Sequence, residues 1–155
     1  MSKIFEEDLN NIINCDFVDW NKFDNKTFLI TGATGLISSI LVKALLLRNK
    51  IYNSKIKLVL PVRNAEKAKN MFNDNCIEFI ETSIENFNYD KDVDYVIHAA
   101  SPTKSKFFIE KPVETLDTIV LGTNAILNYS KKYSYNLEKE YDDVRQESEH
   151  RSHSH

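Results

Sequence analysis

Cysteine, glycine and long apolar runs are all scarce in this chain of 155 residues. Its two cysteines, Cys15 and Cys76, have no metal-ligand neighbours at useful spacing, so we expect both to be reduced and no metal site to form. The apolar runs are far shorter than the roughly 20 residues that span a bilayer, and the acidic stretch "MSKIFEEDLNN" is not a signal peptide. We therefore expect a cytoplasmic protein without a membrane partner.

An excess of positive charge is also absent. The chain has 20 Lys and Arg residues against 23 Asp and Glu residues, for a formal net charge of −3, which argues against nucleic acid as the partner. Hydrophobic residues make up 42% of the sequence. A chain of this length and composition can bury the core of one ordinary domain.

Short apolar strands alternate with helical patterns from residue 24 to residue 133. The predicted strands cover, in order, 27–31, 55–62, 76–82 and 94–100, and the predicted helices cover 36–48, 64–72 and 112–133. This alternation is typical of a parallel sheet with helices on both faces. With right-handed crossovers it predicts a Rossmann-like, doubly wound α/β fold in strand order 3-2-1-4.

Two segments flank this predicted domain. Residues 1–23 contain a short amphipathic helix and an irregular lead-in, in which Trp20 and Phe23 should act as packing anchors. Residues 134–155 carry few aliphatic side chains and dense charge, which predicts a disordered or helical tail. The chain thus divides into a lead-in, a central domain over 24–133 and a tail.

Two of the three glycines lie together at the end of the first predicted strand, in "TFLITGATGLISS". Gly32 would permit a tight turn, and Gly35 would let the backbone approach phosphates with no Cβ in the way. The N–H groups and dipole of the following helix favour a pyrophosphate there, with Thr31 and Thr34 as additional hydroxyl donors. A plain turn is the alternative, but the position between a strand and a helix favours dinucleotide binding.

Three segments carry a resemblance to a known family. The loop "TGATGLIS" matches the pattern TGxxGxxG except that Ser38 replaces the third glycine, and "DYVIHAASPT" and the run Gly122-Thr123-Asn124 follow in order. Together they resemble the extended branch of the short-chain dehydrogenase/reductase superfamily, the NAD-dependent epimerase/dehydratase family. Within that branch "HAASPT" is most similar to UDP-glucuronate decarboxylases and related nucleotide-sugar dehydratases and epimerases.

The resemblance implies an NAD or NADP cofactor and a nucleotide-sugar substrate in the full-length enzyme, which would be modified through transient oxidation. It assigns cofactor contacts to Gly32, Ala33, Thr34, Gly35, Leu36, Ile37, Ser83, Ile84, Ala99, Ala100 and Ser101. Thr103 is assigned to the substrate.

The cofactor type depends on Arg63, which follows the second predicted strand where NAD-binding proteins usually have an acid. Its guanidinium could hold the 2′-phosphate of NADP, or it could cap a solvated helix start. Both alternatives are open from the sequence. Ser83 likewise stands where the family often has an aspartate, so adenine recognition would rest on Ser83 and the backbone of Ile84.

The family's catalytic pair, Tyr-x-x-x-Lys, is matched literally only by "YNLEK", from Tyr135 to Lys139. No predicted strand separates this match from the preceding helix, so we expect it not to be catalytic. We therefore expect the N-terminal, cofactor-binding portion of a family member, with a non-catalytic NAD(P)-binding or sensing module as the alternative. An open strand edge and an uncovered long helix would make this portion self-associate.

Overall fold

The computed structural model describes residues 3–101 and 105–133. The strands are Thr27–Thr31 (β1), Lys57–Val62 (β2), Ile77–Glu81 (β3) and Tyr95–His98 (β4). The α-helices are Lys3–Ile13 (α1), Leu36–Tyr52 (α2), Ala65–Met71 (α3), Ser105–Glu110 (α4) and Pro112–Tyr133 (α5). All strand pairs are parallel and the order is β3-β2-β1-β4, which confirms the predicted doubly wound fold. Helix α4 was not predicted.

Elements β2, β4 and α2 end at positions other than those predicted. Strand β2 begins at Lys57 because Lys55 has a φ of 55°, a left-handed conformation that does not occur within strands. Strand β4 ends at His98, since the N–H groups of Ala99 and Ala100 donate to a side chain of β1. Helix α2 runs past 48 to Tyr52 and stops at Asn53, a left-handed cap with a φ of 54°.

Proline in an interior strand requires an explanation, because β2 has neighbours on both sides. The N–H of Lys57 donates toward β1, to the Lys26 carbonyl, and the N–H of Leu58 donates toward β3, to the Cys76 carbonyl. Alternation along the strand therefore points the Pro61 nitrogen toward β1. The last register pair between β1 and β2 is Leu29 with Val59, so the missing donor falls beyond that ladder. Pro61, the second-to-last residue of β2, is tolerated for this reason.

The sheet has a core on each face, as alternation along parallel strands requires. On one face, β1 and β2 pack against α2 and α3 through Phe28, Ile30, Val42, Leu45, Leu58, Leu60 and Ala68. On the other face they pack against α5 through Leu29, Val59, Ile126 and Tyr129. The predicted anchors also pack, since Phe23 meets Trp20, Phe28 and Tyr95 in edge-to-face contacts. The sheet is therefore held rigidly from both sides.

Two further observations concern the expected absences. Within residues 3–101 and 105–133, no helix combines the length and apolarity needed to cross a membrane, and no group of three His, Cys, Asp or Glu side chains is placed to hold a metal ion. Both cysteines are free thiols.

Candidate functional site

The described residues of the predicted site all follow the carboxyl ends of strands. Residues 32–35 connect β1 to α2, Arg63 follows β2, residues 83–84 follow β3, and residues 99–101 follow β4. In parallel strands these ends meet at one edge of the sheet, and β1 lies between β2 and β4, where the direction of the crossovers reverses. Such a switch point is where doubly wound sheets bind their ligands. Thr103, Tyr135 and Lys139 lie outside the described residues.

The N-terminus of α2 has no side-chain cap. Gly35 occupies the N-cap position and makes no capping hydrogen bond, and the helical ladder begins with the Ser39 N–H donating to the Gly35 carbonyl at 2.9 Å. The first N–H groups of this helix, from Leu36 onward, therefore lack partners within it. Helix α3 differs, because the Asn64 side chain accepts from the Lys67 N–H at 2.7 Å. Of these two helices, α2 is therefore the one whose first N–H groups remain available to bind an anion.

Gly32 turns the chain out of β1. Its φ is +66°, and its carbonyl accepts from the Gly35 N–H at 2.8 Å, so the predicted tight turn is confirmed. A Cβ at this position would lie 2.6 Å from the Ala99 carbonyl oxygen and 2.9 Å from the Ala100 Cα. The glycine therefore serves a second purpose that the sequence did not reveal, which is to let the end of β4 lie directly against the loop.

Gly35 has a different reason to be glycine. Its φ of −74° suits any residue, and the protein atom that a Cβ would approach is the Gly32 carbonyl oxygen at 3.0 Å. The backbone conformation therefore does not require glycine here. What the missing side chain provides is open space in front of the uncapped helix start.

Thr31, predicted as a hydroxyl donor to the ligand, is engaged inside the protein. Its side chain is fully buried, and its Oγ1 lies 2.8 Å from Nδ1 of His98. The same oxygen accepts from the N–H groups of Ala99 and Ala100, both at 3.1 Å. On the far side of the ring, Nε2 of His98 lies 3.3 Å from Oγ1 of Thr123 on α5. The prediction for Thr31 is wrong, because burial and these bonds leave the hydroxyl no access to a ligand.

The segment after β3 lies at the same edge of the sheet, on the other side of β2 from the glycine loop. Ser83 occupies the N-cap position of the 3₁₀ turn Ile84–Asn86 without a side-chain capping bond, and its hydroxyl accepts from the side-chain amide, Nδ2, of Asn86 at 3.0 Å. Burial raises the pKa of Glu85, but hydrogen bonds from its own amide, Thr118 and Ser83, together with the charge of Arg63, lower that pKa overall. Glu85 is therefore an ionised carboxylate near Arg63. It was not predicted, and its spacing offered no signal.

Gly122, the third glycine, contributes to the packing of α5 against the segment after β3. A Cβ there would lie 2.6 Å from Cγ2 of Ile84, so the glycine lets α5 lie close to the 3₁₀ turn. The side chain of Ile84 thus packs on α5, and the predicted adenine contact would use its backbone. Ser38, which replaces the third glycine of the family pattern, is 4% exposed. Ala33 is also fully buried, backbone included.

The residue that sequence reasoning missed is His98. A histidine at the end of the apolar strand "YVIH" was the available signal, since a polar ring in a strand between two cores needs partners. Thr123 was noted only as part of the run that resembles the family helix. The structure joins both side chains through the contacts given above.

The fold and the sequence were compared with known proteins. Residues 28–140 match the NAD dependent epimerase/dehydratase family. A UDP-glucose 4-epimerase of Rickettsia bellii is 31% identical over 112 residues, which cover 68% of this chain and 33% of that protein. The structure of an epimerase from the methanogen Methanothermobacter thermautotrophicus superposes with a TM-score of 0.55 at 20% identity, over 74% of this chain and 34% of the other. The chain spans about a third of the length of these relatives.

These findings agree with the predicted resemblance at the level of the family. The structural likeness supports the Rossmann-like fold, and the family match covers most of the central domain. Because the family is NAD-dependent, the predicted cofactor class, NAD or NADP, is confirmed. The chain belongs to the NAD-dependent epimerase/dehydratase family.

Proposed function

We propose that this chain is the NAD(P)-binding portion of an enzyme that modifies a nucleotide sugar through transient oxidation. The observation that carries the proposal is the uncapped start of α2, which opens into free space at Gly35. This start lies at the switch point of the sheet. An anion there gains hydrogen bonds from backbone N–H groups and a favourable helix dipole, without loss of any existing cap.

The segments that follow the four strands have separate proposed roles in holding the dinucleotide. The loop from Gly32 and the first residues of α2, Leu36 and Ile37, would take the pyrophosphate through their N–H groups. Arg63, Ser83 and Ile84 would lie on the adenosine side, and Ala99, Ala100 and Ser101 on the ribose and nicotinamide side. When bound, the nicotinamide supplies a hydride acceptor. Thr103 would contact the sugar.

The reaction subtype and the catalytic base are more specific proposals. The similarity of "HAASPT" favours a decarboxylase or dehydratase, whereas the Rickettsia relative is named as an epimerase. All three begin with oxidation of a sugar hydroxyl, which needs a general base near the nicotinamide. Among residues 3–101 and 105–133, no tyrosine lies four positions before a lysine after β4. A non-catalytic NAD(P)-binding module is therefore the second candidate for this portion.

The direct test is calorimetric titration of the 155-residue chain with NAD and with NADP. We expect saturable binding of both. A folded chain, verified by circular dichroism, that binds neither dinucleotide would contradict the proposal and favour an interaction domain whose glycine loop is only a turn. Turnover of a nucleotide sugar by the same preparation would separate the enzyme from the sensing module.

Replacing Arg63 by Ala should reduce NADP affinity about tenfold, because a charge-assisted hydrogen bond contributes about 1.5–3 kcal/mol. The alternative role as a helix cap is taken by Asn64, and Arg63 is exposed. NAD affinity should change little, since NAD lacks the 2′-phosphate. Competition titrations with both ligands measure the two effects.

The matched control for Arg63 is Lys69→Ala, which removes the same charge from an exposed position on α3. It should leave the NADP-to-NAD affinity ratio unchanged. Equal weakening of both dinucleotides by Arg63→Ala would show that Arg63 does not select between them. A ratio that shifts equally in both variants would point instead to net charge.

We also propose that the chain associates with a second copy of itself through α5. Four side chains on this helix, Val113, Leu116, Val120 and Leu127, are between 60% and 65% exposed. Their spacings of three, four and seven residues form one stripe about 21 Å long at 1.5 Å per residue, which is the pattern of a helix that pairs with an identical helix. Light scattering at several concentrations should show dimers.

The stripe predicts which substitution abolishes that association. Leu116→Lys should give monomers, because a desolvated lysine has no partner in an apolar seam. Asn128→Lys, at an exposed position of α5 about a quarter turn around the helix from the middle of the stripe, should leave the dimer intact. Dimers that survive Leu116→Lys, or monomers at every concentration of the unchanged chain, would contradict the proposal.

A further inference from the structure

The hydrogen-bond chain behind the candidate site fixes the tautomer of its central residue. A threonine hydroxyl has one proton to donate and two lone pairs to accept with. Both acceptor positions of Thr31 Oγ1 are taken by the N–H groups of Ala99 and Ala100. Its proton is therefore donated to Nδ1 of His98, 2.8 Å away. It follows that Nδ1 is unprotonated, and a neutral ring must carry its proton on Nε2.

The far nitrogen completes the chain. With the proton on Nε2, His98 donates to Oγ1 of Thr123 at 3.3 Å. The chain thus runs from the amides of Ala99 and Ala100 through two side chains of the sheet to α5. It holds the end of β4 at the place where Gly32 has no side chain.

We propose that His98, as the neutral Nε2–H tautomer, is a positioning residue that sets the distance between the glycine loop and the Ala99–Ala100 segment, and so organises the dinucleotide site. The inference rests on the proposed function for its consequence, but the tautomer itself does not depend on any ligand. His98 contacts no ligand in this assignment. It acts through Thr31, whose hydroxyl orients two backbone amides next to the loop.

Protonation of His98 is incompatible with this arrangement. A proton on Nδ1 would need an acceptor, and Thr31 could supply one only by releasing Ala99 or Ala100. Burial lowers the pKa of His98 below its usual 6.5. Around it, β1 presents Thr31 and α5 presents Thr123, and within residues 3–101 and 105–133 no charged group contributes to the shift. The site should therefore be intact above pH 6.5. It should be lost as the pH falls through the lowered pKa that His98 has in the folded protein.

The first test is ¹⁵N NMR of the full chain labelled in histidine. The resonance of His98 should report a proton on Nε2 and none on Nδ1 at pH 8. A proton on Nδ1 would overturn the inference whether or not the chain binds a dinucleotide. This readout is independent of the proposed function, so the two can fail separately.

The second test is titration with NAD from pH 8 down to the lowest pH at which circular dichroism remains native. NAD is chosen because the 2′-phosphate of NADP would itself titrate near pH 6. Affinity should be constant above pH 6.5 and fall by up to about tenfold per pH unit below the pKa of folded His98, as Thr31 releases the amide of Ala99 or Ala100, while circular dichroism remains native. His98→Asn, which offers an oxygen to Thr31 and does not titrate, should give a flat profile.

Variants of Thr31 test the chain from its other end. Thr31→Val removes the hydroxyl at nearly constant volume, and should weaken NAD at least about tenfold at pH 8. Thr31→Ser keeps the hydroxyl and should restore binding. An acid loss that persists in His98→Asn, or equal affinity of the Val and Ser variants, would overturn the proposal. If Thr31→Val does not fold, the NMR assignment and the His98→Asn profile still decide it.

Discussion

Gly32→Ala should lower the free energy of unfolding by about 2–5 kcal/mol, a larger loss than alanine should cause at either of the other two glycines. A non-glycine residue in the left-handed region costs about 1–2 kcal/mol, and Gly32 has a φ of +66°. The added Cβ would also meet the Ala99 carbonyl oxygen at 2.6 Å. Backbone atoms cannot rotate away, so overpacking adds about 1–3 kcal/mol.

Urea denaturation followed by circular dichroism measures this effect, and Gly35→Ala provides the control. Gly35 has a φ of −74°, and a Cβ there approaches Gly32's carbonyl oxygen at 3.0 Å. Its change should stay within about 1 kcal/mol, the typical size for an exposed cap position. If both alanine variants unfold at the same urea concentration, the close approach of β4 to the loop is not what constrains Gly32.

Gly122→Ala tests whether a clash with a side chain costs less stability than a clash with the backbone. The Cβ at Gly122 would also meet an atom at 2.6 Å, but that atom is Cγ2 of Ile84, a side chain. A rotamer change can relieve part of the clash. The loss of stability should therefore be smaller than for Gly32→Ala, even though the shortest distances are equal.

The sheet could be predicted from the sequence because each strand is a short apolar run and each crossover carries a helical pattern. Periodicity alone assigns such elements, and the right-handed rule then orders them. The strand ends were less predictable. Lys55 adopts a left-handed φ, and a lysine in the sequence does not indicate that conformation.

The site was predicted as a set of positions, not as a set of contacts. Gly32, Gly35 and Ala99 were chosen because they match a pattern, and the structure places them at one edge of the sheet. What the pattern could not show is which polar groups face inward. Thr31 and Thr34 are equivalent in sequence, yet Thr31 is fully buried and Thr34 is exposed. Alternation along β1 places Thr31 on the face of the sheet that α5 covers, beside His98, whereas Thr34 lies in the loop after the strand.

The three glycines illustrate the same limit. Each can be described as a family position, but the structure gives three separate causes: a left-handed turn against β4, open space before α2, and close packing of α5 on Ile84. Only the second would serve the proposed ligand directly. Substitutions at the three positions should therefore have different signatures, and the Gly35 variant is the one that isolates function from folding.

Gly35→Val should abolish measurable dinucleotide binding while the chain stays folded. The valine side chain would extend from a Cβ already in contact with the Gly32 carbonyl oxygen into the space before α2. A pyrophosphate displaced from that space loses at least two charge-assisted hydrogen bonds, each contributing about 1.5–3 kcal/mol. The sum corresponds to a loss of affinity of roughly 100-fold or more.

A substitution at the other helix start should show the opposite behaviour. Asn64→Gly removes the side chain that accepts from Lys67, and so should cost α3 a few tenths of a kcal/mol of stability without changing NAD affinity. Calorimetric titration with NAD and urea denaturation give both numbers for each variant. Because α2 has no cap to lose, Gly35→Val should keep its unfolding free energy within about 1 kcal/mol. Unchanged NAD affinity in folded Gly35→Val would show that the open space before α2 is not where the pyrophosphate binds.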